Sequence, residues 1–386
     1  MKIIFWLSLF LIIYTYVGYP SLLFIWSKIA LKKVNKKNPV LTPLVSVVIA
    51  VRNEEKYIEK RILNLLNQDY PIDKMEIIIV SDGSLDASSK IVKNYLYKNA
   101  KIKLFDGRTA PKIRLIELKE SKGKPNALNI AIQEAVGDFI ILTDARQQFC
   151  QNVIMELISN FNDESVGCVS GELKFYEGKD LSNVSLGMYW EYEKWIRKME
   201  GEIHSVVGAT GAIYAIRKKL FYPIPQETLI DDVLIPMNIV LQGYRTVFDK
   251  NAVAYDIKSK NHNKEKRRKI RTLVGNYQIL KLKPDLLKYN KNPIFFRFIS
   301  HKLIRLFVPH LFLMTIAASF MLNGALYKLY FVIAIFIIIS PVLSEKASRI
   351  PHIGNVVKLC STFVNLNYFA LLASIYAIWH KRKVIW

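Results

Sequence analysis

Cysteine is scarce in this sequence. The 386 residues contain only Cys150, Cys168 and Cys360, which are scattered and show neither a pairing pattern nor the spacing of metal ligands. Their distribution argues against a cysteine metal site and fits a reducing compartment.

Acidic residues are also few: 32 aspartates and glutamates stand against 55 lysines and arginines, giving a net charge of +23. Such an excess suits nucleic acid, an anionic membrane surface or an acidic substrate. No zinc-knuckle, basic-zipper or aromatic RNA-binding signature accompanies it, so we predict no nucleic-acid partner. We attribute most of the charge to the anionic inner leaflet of a membrane.

Long apolar runs, by contrast, are present, in a chain that is 51% hydrophobic. Ile3 to Trp26 is long enough to span a bilayer and lacks a cleavage site. The basic stretch "SKIALKKVNKKN" that follows predicts a cytoplasmic end for this span. Further predicted spans lie near the other end: 303–322, 326–343 and 363–379.

These runs predict an N-terminal anchor over 1–28, a cytoplasmic domain over 42–285, and an interfacial helix with C-terminal spans over 286–386. The protein would then be a multi-pass protein of the cell (inner or plasma) membrane. One conflict arises, because four spans starting outside leave the basic tail "HKRKVIW" outside. Either one C-terminal segment is re-entrant or interfacial, or the basic loop after the first span overrides the tail.

Between the apolar ends, strand and helix patterns alternate. "VSVVIAV" (45–51), "MEIIIVSD" (75–82) and "DFIILTD" (138–144) are typical of strands buried on both faces. Helical patterns separate them: "NEEKYIEKRILNLLNQ", "SLDASSKIVKNYLY" and "GKPNALNIAIQEAVGD". The alternation predicts an α/β fold with a mainly parallel sheet.

Polar clusters follow each of these strands: Arg52 to Glu54, Asp82 with Gly83, and Asp144 to Arg146. Ligands of such sheets bind beyond the carboxyl ends of the strands, so these clusters should converge. No glycine-rich phosphate loop follows any of the strands. A bound phosphate would therefore depend on a metal and on basic side chains.

Seven segments follow one another along the chain: "VSVVIAVRNEEKYIEK", "IIIVSDGSLD", "KGKPNALNIAI", "ILTDARQ", "GATGAIYAIR", "IDDVLIPMNIVLQGYR" and "RRKIRTLVGNYQ". In this order they resemble the membrane-anchored, cellulose-synthase-like family 2 glycosyltransferases. Each is weak alone, but together they cover about residues 44–280. The resemblance implies a GT-A (Rossmann-like) fold, inverting transfer from a nucleotide-sugar, and Mg²⁺ or Mn²⁺ under the diphosphate.

The resemblance also implies roles for single residues. Asp232 matches the catalytic base of the acidic pair, Asp231 its neighbour, and Asp144 the first, metal-binding acid of the D-x-D motif. The residues that match contacts to the nucleotide-sugar are Asn53, Glu54, Asp82, Lys124 and Arg271, and we expect Arg268 to clamp the diphosphate together with Arg271.

This sequence departs from the family at two motifs. The Q-x-x-R-W motif of processive synthases lines up with Arg268, Arg271 and Thr272, so its glutamine and tryptophan are replaced while its arginine is kept. The tryptophan of this motif normally contacts the acceptor end of the growing polymer, and its replacement puts processive synthesis in doubt. Arg146 stands at the second acid of D-x-D. One acid suffices for Mg²⁺, which commonly keeps several waters, and Arg146 would contact phosphate or pair with Asp144.

Ordinary structural roles compete with these assignments. Asp82 could shape a turn, Asp144 could cap a helix near Cys150, and Asp231 with Asp232 could be the acidic first turn of a helix. The last role is compatible with catalysis.

We therefore predict a membrane-bound inverting glycosyltransferase that uses a nucleotide-sugar with UDP as its nucleotide. The predicted acceptor is a membrane lipid, a lipid-linked glycan or a polysaccharide. The predicted protein partners are other glycan-synthesis or export proteins. One alternative is a processive β-glycan synthase. Another is a non-catalytic nucleotide-sugar-binding membrane subunit.

Overall fold

A computed structural model of the chain describes residues 1–36, 42–98, 112–176, 188–257, 262–347 and 353–379. The chain divides into two compact units. The helical unit comprises Met1–Ile25, Asn261–Leu287 and Phe295–Trp386, and the sheet unit comprises Trp26–Lys260 and Lys288–Ile294. The domain boundaries given above remain predictions.

The sheet unit contains a mixed, mainly parallel sheet of eight strands among the described residues, in the order β3-β2-β1-β4-β7-β6-β8-β5. The strands are β1 (Val45–Val51), β2 (Met75–Asp82), β3 (Lys112–Leu118), β4 (Phe139–Thr143), β5 (Gln148–Phe149), β6 (Val166–Tyr176), β7 (Tyr214–Arg217) and β8 (Arg245–Ile257).

The three strands predicted from apolar runs lie side by side in the sheet. β1 pairs in parallel with β2 on one side and with β4 on the other, and Val45 is opposite both Met75 and Phe139. All eight residues of β2 are buried, as expected for a strand covered on both faces. The polar clusters that follow these strands therefore share one edge of the sheet.

The α-helices also fall close to the predicted patterns. In the sheet unit they are α3 (Ile58–Leu66), α4 (Ser88–Lys98), α5 (Lys124–Glu134), α6 (Val153–Ser159), α7 (Met188–Ile203) and α8 (Asp231–Leu241). The apolar face of α3 is buried, including Ile58, Ile62 and Leu65, whereas Tyr57 is exposed. The same face carries one charged residue, Arg61, which is fully buried.

The helical unit contains α1 (Lys2–Ile13), α2 (Tyr19–Ile29, which extends into the sheet unit), α9 (His262–Leu282), α10 (Phe295–Arg297), α11 (Ile304–Met321), α12 (Ala325–Ala347) and α13 (Ile353–Trp379). By length and apolar composition, four helices of the described chain could cross a membrane: Lys2–Ile29, Phe295–Met321, Ala325–Ser344 and Gly354–Trp379. They match the four predicted spans, and the second and fourth begin eight or nine residues earlier than predicted because polar residues diluted their apolar pattern.

Within the helical unit, α9 carries exposed basic side chains from Lys266 to Lys269. The ammonium group of Lys266 lies 5.6 Å from the ring centroid of Tyr368, and that of Lys269 lies 5.9 Å from the ring of Phe369. A basic helix therefore packs against the candidate span α13, where its charges suit lipid headgroups.

Candidate active site

The loops that follow β1 and β2 are joined by reciprocal hydrogen bonds. Asn53 has a φ of +55°, which asparagine tolerates better than most residues. Its backbone N–H donates to the Ser84 hydroxyl at 3.2 Å, and its side-chain oxygen accepts from the Leu85 N–H at 2.9 Å. The N–H of Glu54 donates to the Ser88 hydroxyl at 2.8 Å. The first two predicted clusters thus form one layer, as expected.

Asp82 ends β2 as a buried carboxylate that accepts three hydrogen bonds from one loop. The donors are the Ser121 hydroxyl at 2.8 Å, the Lys122 N–H at 2.8 Å and the Gly123 N–H at 2.9 Å. This loop leads directly into α5, whose first residue is Lys124. Within the sheet unit, Asp82 therefore holds the segment that positions Lys124.

Lys124 joins two of the predicted acidic positions. Its ammonium group lies 2.9 Å from Asp144 Oδ1 and 3.5 Å from Asp231 Oδ2. Desolvation lowers the pKa of Lys124, but the attraction of Asp144 and Asp231 outweighs it and raises the pKa above its ordinary value. The lysine is therefore charged at neutral pH, with its cation at the meeting point of β4, α5 and α8.

Asp144 follows β4 and does not cap a helix, because the next helix, α6, begins at Val153 with Asn152 as its N-cap. About a third of its side chain, 33%, is exposed. Its carboxylate is thus both accessible from solvent and paired with Lys124, which is compatible with a ligand-binding role.

Asp231 and Asp232 open α8, as the helix-start interpretation predicted. Asp231 is buried, and the Tyr214 hydroxyl donates to its Oδ2 at 3.4 Å. Asp232, in contrast, is only half-buried. The two acids therefore differ in surroundings: one is fixed inside the protein next to Lys124, and the other can be reached by a substrate.

Arg146 pairs with a residue that sequence reasoning missed. Its guanidinium lies 3.6 Å from Oδ2 of the buried Asp256, at the end of β8. The Gln147 amide also donates to that oxygen, at 2.8 Å. The pairing joins positions more than a hundred residues apart, and the only sequence signal was a charged residue near the end of an apolar strand.

Glu54 lies in the electrostatic field of the same edge. Burial raises its pKa; Arg146 opposes the shift, whereas Asp144, Asp86 and Asp256 add to it. The carboxylates near Glu54 therefore disfavour a further negative charge, and the edge suits a bound cation.

A second missed residue is Arg61, which lies under the end of β4. It donates to the Thr143 hydroxyl at 2.8 Å and to the Asn64 side chain at 2.7 Å. Burial lowers its pKa to about 9, an effect that the charge of Asp144 opposes. A lone arginine on the apolar face of a predicted helix was the available signal. Arg61 supports the strand end from which Asp144 projects.

The donor set for a divalent cation is small. Among the described residues, no group of three or more histidine, cysteine, aspartate or glutamate side chains could hold a metal ion. Asp144 supplies one carboxylate, which fits Mg²⁺ because this ion keeps several waters and takes further oxygens from substrate phosphates. The residues present thus fit a cation that binds together with a diphosphate.

Arg268 and Arg271 lie on α9, in the helical unit. Their assignment to the nucleotide-sugar therefore remains a prediction. The other predicted site residues lie in the sheet unit, where hydrogen bonds, ion pairs or electrostatic interactions link them: Asn53, Glu54, Asp82, Lys124, Asp144, Arg146 and Asp231.

Comparison with known proteins assigns a family to the segment that carries most of this site. Residues 46–224 match the model of glycosyl transferase family 2, and this range contains β2 through β7, all but the first residue of β1, and Asp82, Lys124 and Asp144. Residues 46–224 therefore form a family 2 glycosyltransferase domain. Its resemblance to that family is thus confirmed.

Two curated relatives of the chain come from bacteria. The chain is 26% identical over 68% of its length to a probable glycosyltransferase, YdaM, of Bacillus subtilis, and spans 62% of that protein. It is 23% identical over 70% of its length to the poly-β-1,6-N-acetyl-D-glucosamine synthase of Staphylococcus aureus, and spans 64% of that protein.

A solved structure shares the architecture of the whole chain. The mannosyltransferase PcManGT of Pyrobaculum calidifontis, solved with GDP-mannose and Mn²⁺, aligns with 98% of this chain and all of its own at a TM-score of 0.72 and 21% identity. The predicted GT-A fold with flanking apolar helices is therefore confirmed.

One prediction for the family 2 domain concerns Asp82. We expect Asp82→Asn to loosen the loop before Lys124, because an amide nitrogen cannot accept the hydrogen bonds that the carboxylate accepts. Losing bonds to a charged acceptor costs about 1–3 kcal/mol. Hydrogen exchange at the Lys122 and Gly123 amides should accelerate about tenfold or more. The exposed Asp73 provides the control, and unchanged exchange in Asp82→Asn would contradict the role in holding the loop.

Proposed function

We propose that this protein is a membrane-bound inverting glycosyltransferase that transfers a sugar from a nucleotide-sugar to a membrane-held lipid, lipid-linked glycan or polysaccharide in cell-surface glycan synthesis. The observation that carries the proposal is the bridge from Lys124 to Asp144 and Asp231, next to the accessible Asp232. It supplies a cation for a leaving diphosphate and a carboxylate for a proton within one compact unit of the chain.

Inverting transfer is a single displacement at the anomeric carbon. The acceptor oxygen forms a bond to that carbon while the bond to the diphosphate oxygen breaks, and Asp232 takes the proton from the acceptor hydroxyl. A carboxylate is a modest base, so Asp232 acts late, when bonding to the sugar has made the hydroxyl acidic.

Lys124 compensates the charge that develops on the diphosphate. In the described structure its ammonium group is held between two carboxylates, and Asp82 holds the preceding loop. A cation placed in advance stabilises the leaving group without reorganisation during the reaction. Bound Mg²⁺ or Mn²⁺, held by Asp144, would add Lewis-acid stabilisation of the same oxygens. The Mn²⁺ in the mannosyltransferase structure supports a divalent cation here.

The acceptor is proposed to be membrane-held because apolar helices flank the domain in sequence. Lys2–Ile29 precedes it and Phe295–Met321 follows it. The basic segment after the first helix supports a cytoplasmic domain and nucleotide-sugars from that side. The donor is proposed to be a UDP-linked hexose or N-acetylhexosamine. The staphylococcal relative, a poly-β-1,6-N-acetyl-D-glucosamine synthase, supports the N-acetylhexosamine.

A donor screen tests this function. We expect the full-length protein, purified and returned to lipid, to transfer sugar from a UDP-sugar to a polyprenyl-phosphate or lipid-linked glycan in the presence of Mg²⁺ or Mn²⁺. Labelled UDP-glucose, UDP-N-acetylglucosamine, UDP-galactose and GDP-mannose are compared, and product length is read by electrophoresis. Short products are expected because Q-x-x-R-W is incomplete.

The alternatives give different products in the same assay. Long polymers from the purified protein would instead establish a processive β-glycan synthase. Nucleotide binding without transfer or hydrolysis of any donor would favour the non-catalytic subunit and reject the proposed function.

A further inference from the structure

The loop from Gly208 to Gly211 lies against the first turn of α8. The Ala209 N–H donates to the backbone carbonyl of Asp232 at 2.7 Å. A β carbon added at Gly211 would lie only 2.8 Å from Asp232 Oδ2, and 3.2 Å from the Cβ and Cγ atoms of the same residue. No other residue supplies the three atoms nearest to that position. The side chain of Asp232 thus occupies the space that any residue larger than glycine would need.

The same loop is held from its other side by α7. Arg197 donates to the Thr210 hydroxyl at 2.9 Å and to the Ser170 hydroxyl at 2.9 Å, and Ser170 Oγ accepts from the Thr210 N–H at 2.9 Å. Burial lowers the pKa of Arg197, whereas Glu200, Glu193 and Asp232 oppose the shift. Arg197 therefore fixes the loop through partly buried hydrogen bonds, close enough to Asp232 for their charges to interact.

We propose that Gly211 is a positioning residue for Asp232, and that Arg197 fixes the loop that carries Gly211. This inference rests on the proposed function of Asp232 as the base. The tightest contact, at 2.8 Å, is with the end of an aspartate side chain, and rotation of the carboxylate relieves it. The 3.2 Å contact with the Asp232 Cβ needs only a small shift of the chain. A larger residue at position 211 would therefore turn the carboxylate without unfolding the domain. Displacing a reacting group by about 1 Å can cost about 100-fold in rate.

The test is Gly211→Ala in the full-length protein in lipid, with Gly201→Ala as the matched control. A β carbon at Gly201, in α7, would meet the Phe248 backbone nitrogen at 3.2 Å and has no atom of Asp232 among its nearest neighbours. We expect Gly211→Ala to lower kcat by about 100-fold, with the donor KM, the nucleotide Kd and the melting temperature close to wild type. Gly201→Ala should retain kcat within about threefold, a change of less than 1 kcal/mol.

A double variant separates positioning from a general structural defect. In an Asp232→Asn background, Gly211→Ala should cause no further loss of kcat, because the carboxylate that it displaces is already gone. The proposal would be overturned if the kcat losses of the two single variants multiplied in the double variant. It would also be overturned if Gly211→Ala kept the wild-type kcat while Asp232→Asn was inactive. Full activity in Asp232→Asn would instead reject the proposed role of Asp232 as the base.

A second pair of variants tests the loop if Gly211→Ala does not fold. Thr210→Val removes the hydroxyl that accepts from Arg197 and should lower kcat at least about tenfold with an unchanged donor KM, equal to about 1.4 kcal/mol. Thr210→Ser keeps the hydroxyl and should restore kcat. Equal activity in the two variants would show that the Arg197 contact does not position the base.

Discussion

Asp232→Asn is expected to lower kcat for sugar transfer by about 10²- to 10⁴-fold while nucleotide binding stays unchanged. Asparagine keeps the shape of aspartate but cannot take the proton of the acceptor hydroxyl, and positioned general bases contribute about this factor. The half-buried Asp232 is placed for this role at the start of α8. The measurement combines initial transfer rates at saturating donor with the displacement of a fluorescent nucleotide at equilibrium.

Asp231→Asn is the matched control because it changes the adjacent acid of the same helix. Asp231 is buried and lies 3.5 Å from Lys124, so its loss weakens the placement of the lysine and should mainly raise the donor KM. The larger kcat loss should therefore belong to Asp232. The opposite order would move the base assignment to Asp231, and equal rates in wild type and both variants would exclude the pair from proton transfer.

The parallel half of the sheet could be predicted because its strands carry their own signal. β1, β2 and β4 are rich in isoleucine, valine and other apolar residues, as burial on both faces requires. β3 lies at the edge of the sheet, and Lys112, Arg114 and Glu117 interrupt its apolar pattern. β8 includes the exposed Lys250 at the point where its pairing with β6 shifts register. These strands depend on partners distant in sequence, so local composition did not reveal them.

The functional site likewise divides into residues that could be predicted from the sequence and contacts that could not. Glu54, Asp82 and Asp144 could be placed at one edge because parallel strands carry their carboxyl ends to the same side, whereas Asp231 was assigned only through the family resemblance. Their partners depend on tertiary packing: Asp82 with the loop before α5, and Arg146 with Asp256. No local pattern links position 146 to position 256, and so the sequence left the pairing of Arg146 open.

Asp144→Ala is expected to remove the dependence of nucleotide binding on Mn²⁺. In wild type, Mn²⁺ should strengthen UDP binding at least about tenfold, or 1.4 kcal/mol, because cation and diphosphate complete each other's contacts. Without the Asp144 carboxylate, the site loses the one acid that we assign to the metal. Lys124 also loses its ion pair with Asp144 and keeps the one with Asp231. Isothermal titration of UDP with and without Mn²⁺ measures both effects in the absence of turnover.

Arg146→Asp is the converse variant, since it restores the second acid of D-x-D. It should strengthen Mn²⁺ binding, but it also leaves the buried Asp256 without its cation, and removing one member of a buried pair is strongly destabilising. Adding Asp256→Asn should recover the melting temperature and keep the stronger Mn²⁺ binding. If Asp144→Ala and wild type instead show the same response to Mn²⁺, Asp144 serves to hold Lys124 and the cation binds elsewhere.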